Sequence, residues 1–141
     1  MAKTERRRSP APFASVQTRP EPRRRAKFPK HIELAIRAAE DKKAQDITVL
    51  DLKNASGFTD YFVICSGANA RQIHAIADAV IEAQAAHGSK PAHVEGYDRS
   101  EWVLVDYFDF IVHIFSPETR AFYGLERLWG NAERVDLPAA T

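Results

Sequence analysis

The sequence predicts a mixed α/β domain of the α+β type, a five-stranded sheet with helices on its faces. Three observations carry this. A strand-like run at Tyr61–Ser66 leads into a helical stretch over Asn69–His87 and out to a short strand near Ala92–Glu95. Such a strand–helix–strand step implies a parallel pair. Two further β-type runs, Trp102–Val105 and Phe110–Phe115, are separated by four residues, a spacing that makes an antiparallel hairpin. The run YFVICS is almost wholly apolar, which suits a strand covered on both faces.

Each element has a local cause. Ile32, Ala35, Ile36 and Ala39 recur at helical spacing, so Lys30–Lys43 is read as an amphipathic helix with Pro29 at its entrance. Ile47–Leu52 alternates with β-branched residues and reads as a strand; Asn54–Gly57 is loop. After Gly67, Asn69 can cap the next helix, with Gln72 reaching back as in a capping box. Its buried stripe is Ile73, Ile76, Ala77, Val80 and Ile81, and Gly88 is its stop signal. A polar loop through Tyr97–Ser100 precedes the hairpin. Beyond it, Ser116-Pro117-Glu118 supplies an N-cap, a first-turn proline and an acid favoured by the helix dipole. Phe122, Leu125 and Trp129 then share one face of a helix that Gly130 ends. The order is α-β-β-α-β-β-β-α, without internal repeat.

The net charge of +1 over 141 residues conceals an asymmetry. Residues 1–30 carry ten Lys or Arg against two acids, and residues 31–141 carry ten against seventeen. An acidic body therefore has a basic tail. The tail holds Arg6-Arg7-Arg8, Arg23-Arg24-Arg25 and five of the eight prolines, a composition that cannot offset the entropy of ordering. Residues 1–29 are thus expected to be disordered, residues 30–136 to form the domain, and 137–141 to be a short tail. The Arg-rich start resembles an organelle transit peptide, but its prolines oppose the amphipathic helix of such peptides. A cytoplasmic protein is expected. The lone cysteine, Cys65, precludes an internal disulfide and fits a reducing compartment.

Catalytic readings are weak. Cys65 lies in an apolar strand, whereas a thiolate nucleophile needs an accessible, electropositive setting. His113 alternates onto the same face as Ile111 and Phe115 and reads as a buried, hydrogen-bonded imidazole. The remaining histidines share no metal-site spacing. Ser66-Gly67, leading from strand to helix, could cradle a phosphate at the helix start, and nucleotide binding there is the alternative reading. Nucleotidyltransferase chemistry, however, needs two acids one residue apart to hold Mg²⁺, and no two acids here have that spacing. Neither a catalytic residue nor a metal or cofactor is predicted.

The binding reading is stronger. The hairpin tip Asp106-Tyr107-Phe108-Asp109 places two rings between carboxylates, where turn tips normally carry Gly, Asn, Asp or Pro. Aromatic anchors ringed by charge are typical of interface hot spots. A basic partner is expected, with Glu95 and Tyr97 extending the patch. The basic tail could meet nucleic-acid phosphates while the body holds protein.

These residues resemble the ribosomal silencing factor, or Iojap-like, family. The matching stretches are Asp60-Tyr61-Phe62-Val63-Ile64 with Ser66-Gly67, Arg71-Gln72 with Ile76-Ala77-Asp78, and Trp102-Val103-Leu104-Val105-Asp106-Tyr107. The match continues through Val112-His113-Ile114-Phe115, Arg120, Phe122-Tyr123 and Leu125-Glu126-Arg127-Leu128-Trp129. The resemblance implies a nucleotidyltransferase-like fold without catalytic acids, and a non-catalytic repressor of translation. It implies binding to the large ribosomal subunit through its fourteenth ribosomal protein, a block on subunit joining, and homodimers when free. Trp102, Leu104, Asp106, Tyr107 and Asp109 would then form the docking surface. The family pattern has glycine where this chain has Phe108, which implies either a different turn or local strain.

Overall fold

A computed structural model describes residues 28–138. The expected disorder of the basic tail and the short C-terminal tail fall largely on residues 1–27 and 139–141, outside the described residues. The elements run α1 (Lys30–Asp41), β1 (Gln45–Asp51), β2 (Tyr61–Ser66), α2 (Ala70–Ala85), β3 (His93–Glu95), β4 (Trp102–Asp106), β5 (Phe110–Phe115), α3 (Pro117–Tyr123), α4 (Leu125–Leu128) and β6 (Glu133–Asp136). One mixed sheet has the order β3-β4-β5-β2-β1-β6.

Three expectations need correction. The sheet has six strands rather than five: Glu133–Asp136 pairs antiparallel with β1, Val135 opposite Val49. As an edge strand with one apolar residue, it had little pattern to reveal it. The parallel partner of β2 is β5, not the strand that follows the crossover helix. Every residue of β2 and β5 is buried, whereas all three of β3 are exposed. The meander β3-β4-β5 therefore puts the apolar FIVHIF beside YFVICS and leaves β3 at the edge. Finally, the C-terminal helix is two helices. Gly124 adopts φ +57° between them, a left-handed backbone that glycine tolerates. The break leaves Phe122 exposed while Leu125 remains buried.

Alternation divides the sheet between two cores. Tyr61, Val63, Cys65, Val103, Val105, Phe110, Val112 and Ile114 face α1 and α2, packing against Ile32, Ile36, Ile73, Ile76 and Val80. Burying each of these large aliphatics contributes about 1.5–3 kcal/mol relative to exposure. Asn69 caps α2 as expected, its Oδ1 accepting from the Gln72 N–H at 2.9 Å. Gln72 answers through Oε1, but to the Ala68 N–H one residue earlier. The buried stripe ends on Gln84, whose Nε2 donates to the His31 carbonyl at 2.8 Å and ties α2 to α1. The opposite face holds a smaller cluster, Leu50, Leu52, Phe62, Ile64, Ile111, Phe115 and Leu125, with Trp102, Leu104 and Trp129 partly buried against it.

Candidate functional site

The site is this second, thinly covered face of β4 together with the hairpin tip. Along β4, Val103 and Val105 turn into the helix-side core, while Trp102, Leu104 and Asp106 alternate to the other side and are only half-buried. The Trp102 ring packs on Phe115 at 4.9 Å and Tyr123 at 4.8 Å, and Tyr123 meets Phe122 edge-on. Phe122 and Tyr123 are 78% and 51% exposed, so they continue the apolar surface outward from Trp102. Sequence reasoning placed Phe122 on a buried helical face; the αL residue at Gly124 was the signal it missed. Exposed large rings contiguous with half-buried ones form a patch of the kind that marks interaction sites.

His113 fixes the orientation of Trp102. The indole Nε1–H donates to Nδ1 of His113 at 3.0 Å, so the imidazole proton lies on Nε2, which is buried without a partner. Burial pushes the His113 pKa down to about 3, and the ring remains neutral at ordinary pH. This matches the buried, hydrogen-bonded histidine the sequence suggested. Cys65 is likewise enclosed, and burial pushes its thiol up to about 12, which makes it inert as a nucleophile.

At the tip, the two rings separate. Tyr107 is buried, stacked on Phe110 at 4.8 Å with its hydroxyl unpartnered, and burial raises its pKa to about 12. The tip therefore presents one ring to solvent, Phe108, rather than two. Phe108 has φ +70°, and the Asp109 N–H donates to the Tyr107 carbonyl at 2.9 Å. This is the positive-φ γ-turn, rare and strained for an L residue. Of the two consequences the family pattern left open, local strain is the one realised. The turn is over-determined by its neighbours: Asp106 Oδ1 accepts from the Phe108 N–H, Thr59 Oγ1 donates to its carbonyl, and the Asp60 N–H donates to that of Asp109. Asp109 and Asp60 are exposed beside it. By register Glu95 lies opposite Leu104 and extends the face, but Tyr97 does not. Its ring stacks on His74 and its hydroxyl donates to Asp78 on α2.

The turn after β2 is closed. The Ser66 hydroxyl is buried and accepts from Arg120 Nη1 at 3.0 Å, and a Cβ on Gly67 would meet Ile73 Cγ1 at 2.8 Å. Arg120 also binds Glu126 at 2.7 Å, the Asp46 carbonyl and Thr48 Oγ1, tying α3 to β1 and β2. These contacts border a cleft of about 340 Å³ lined by Arg120, Arg127 and Arg134 with Asp46 and Glu126. Nothing in the local sequence around Arg120 signalled this role. Among the described residues, no group of three or more His, Cys, Asp or Glu side chains could hold a metal ion, and no helix is long and apolar enough to cross a membrane.

A profile of the family described as "Ribosomal silencing factor during starvation" matches residues 25–141. The chain belongs to the ribosomal silencing factor family. The ribosomal silencing factor of Bacillus subtilis is 41% identical over 106 residues, covering 75% of this chain and 90% of the relative. A mouse protein named for mitochondrial assembly of the ribosomal large subunit is 33% identical over 107 residues, 74% of this chain and 46% of its own length. A crystal structure from Chromobacterium violaceum matches with a TM-score of 0.70 at 33% identity, covering 79% of this chain and 93% of that one. The α+β sheet is therefore the fold of a ribosomal silencing factor.

Proposed function

We propose that this chain represses translation without catalysis, by docking on the large ribosomal subunit and blocking its joining with the small one. The partner is the fourteenth large-subunit ribosomal protein, on the face that meets the small subunit. The observation that carries this reading is the pairing of half-buried Trp102 and Leu104 with Asp106 and Asp109 at one end of the same face. Apolar anchors supply desolvated contact, and the carboxylates steer a basic partner by charge. Exposed Phe122 and Tyr123 enlarge the apolar part, and Tyr107 supports the tip from beneath. The mouse relative's name, which refers to the ribosomal large subunit, supports the large subunit as the target. When free, the protein can pair as a homodimer, and the basic tail can touch ribosomal RNA.

Cosedimentation with isolated subunits tests the proposal. The protein should travel with free large subunits and deplete joined ribosomes. Leu104→Arg with Asp109→Lys should abolish both effects. Because Leu104 is half-buried against the second cluster, Asp109→Lys alone, at an exposed position, should weaken binding with the melting temperature nearly unchanged. Undiminished binding by the double variant would sink the assignment of this face.

A further inference from the structure

β2 and β5 lie side by side and parallel, and they end, at Ser66 and Phe115, away from the hairpin tip. Their connections then part. The chain leaving β2 enters α2, which packs on the larger core. The chain leaving β5 enters α3 and α4, where Leu125 joins the smaller core on the opposite face. Such a parting opens a crevice at the carboxyl ends of the strands, the place where open α/β sheets bind ligands. Here the crevice is the cleft of about 340 Å³ that Ser66, Pro117, Arg120, Arg127 and Arg134 line. A second cleft of about 370 Å³ shares Asp46, Arg120 and Arg134 with it. Small-molecule sites have volumes of this order.

The fold consumes Arg120, whose donors go to Glu126, the Asp46 carbonyl, Ser66 and Thr48. It does not consume Arg127. Among the described residues, the Arg127 side chain has no hydrogen bond or ion pair. Its guanidinium rests against the Gly124 backbone, where a Cβ would meet Nη2 at 2.5 Å. Arg134 pairs with Asp136 through Nε alone, which leaves both terminal nitrogens without a partner among the described residues. The Ser66 hydroxyl is buried and accepts from Arg120, so its own proton is available to an anion. On the same cleft the Asp46 carboxylate is also unpaired among the described residues. Asp46 stands at φ +52° where the β1 register shifts between Gln45 and Thr48. A bulge re-aims the side chain it carries, and bulges recur beside binding sites.

A ligand that satisfies these groups needs an anion for the guanidiniums and hydroxyl donors for the carboxylate. Guanidinium forks match phosphate oxygens two at a time. A polynucleotide gains affinity by neutralising many phosphates, and the carboxylates of Asp46, Glu126 and Asp136 at these clefts oppose that. One phosphate on a small, hydroxyl-bearing carrier avoids the conflict. We propose that the cleft binds a sugar phosphate, free or within a mononucleotide. Its phosphate lies on Arg127 and Arg134 with the Ser66 hydroxyl, and its sugar hydroxyls donate to Asp46. The site is not the turn at Gly67, which Ile73 closes. It lies at the other end of the sheet from the docking tip, so it stands or falls apart from the docking reading.

Calorimetry on the full chain tests this with ribose phosphate, adenosine monophosphate and inorganic phosphate. Ribose phosphate should bind saturably, and Arg127→Gln should weaken it roughly tenfold, the loss of one hydrogen bond to a charged group. Asp46→Asn suits the positive φ. It should weaken ribose phosphate several-fold yet leave inorganic phosphate bound at least as tightly. Both positions are exposed, and unchanged amide spectra away from the cleft verify that each variant folds. Equal affinities would identify the sugar phosphate as the whole ligand; tighter binding of the nucleotide would place its base in the second cleft. Phosphate held by the arginines of residues 1–30 would be indifferent to Arg127→Gln, and such indifference overturns the proposal. So does a lack of saturable ribose phosphate binding. A short oligouridylate that alone binds and alone responds to Arg127→Gln overturns it too, in favour of a polynucleotide site.

Discussion

Thr59 Oγ1 donates a 2.7 Å hydrogen bond to the carbonyl of Phe108, joining the loop before β2 to the hairpin tip across 49 positions of sequence. Thr59 is 5% exposed, so the bond is shielded, and it holds the exposed aromatic residue of the tip in a left-handed backbone. Strain of this kind persists only where several contacts enforce it.

Phe108→Gly should therefore stabilise the domain. An L residue at positive φ costs about 1–2 kcal/mol, and glycine returns roughly 0.5–1 kcal/mol through the entropy of the unfolded chain. The net gain of up to about 1 kcal/mol raises the melting temperature by a few degrees. Phe108→Val, β-branched in the same conformation, should lower it. Urea titration of both variants decides the matter, and a lower midpoint for the glycine variant would refute the strain.

Acid should unfold this protein partly through His113. Its pKa is about 3 in the fold against the ordinary 6.5, so the unfolded chain binds an extra proton between those values. Stability is then fully present above about pH 6.5 and declines as pH falls, by about 1.4 kcal/mol per unit from this group. His113→Asn keeps an acceptor for the Trp102 indole and removes the titration. Its stability should fall less steeply than the wild type's between pH 6 and 4, where carboxylates contribute equally to both. Parallel pH profiles would contradict a neutral buried ring.

Arg120→Met should cost about 3 kcal/mol, the range for removing one partner of a buried ion pair. The side chains of Arg120 and Glu126 are 12% and 14% exposed, so Glu126 would be left nearly buried and uncompensated. Ser66 and Thr48 would each lose a donor as well. Replacing both, as Arg120→Met with Glu126→Gln, should recover part of the loss. Chemical denaturation of the two variants measures the difference, and equal midpoints would contradict the pairing.

Phe122→Ala probes the extent of the docking face beyond the five residues expected from sequence. Phe122 is 78% exposed, so stability should change by no more than ~0.5 kcal/mol. Large-subunit binding should weaken roughly tenfold if the ring is an anchor. Unchanged sedimentation would confine the interface to β4 and the tip.

Much of this protein was legible in one dimension because it follows from local chemistry. Helical periodicity located α1 and α2, Asn69 and Gln72 marked the cap, and the four-residue spacing of Trp102–Phe115 specified a hairpin. The almost wholly apolar run of β2 declared a strand covered on both faces. Family membership too was carried by residue identities, from Trp102-Val103-Leu104-Val105-Asp106-Tyr107 to Leu125-Glu126-Arg127-Leu128-Trp129. Where the sequence misled, the deciding contacts were distant in the chain. Periodicity cannot say that β5 rather than β3 lies against β2, since that depends on which pairing buries more apolar surface. It cannot bury Tyr107 on Phe110 while exposing Phe108, nor draw Arg120 to Ser66 across 54 positions. Thr59 and Asp60 decide the shape of a tip to which they contribute no residue. Sequence determines which side chains are able to dock; only the packing of the sheet decides which of them face outward, because burial and backbone strain are settled by neighbours far away along the chain.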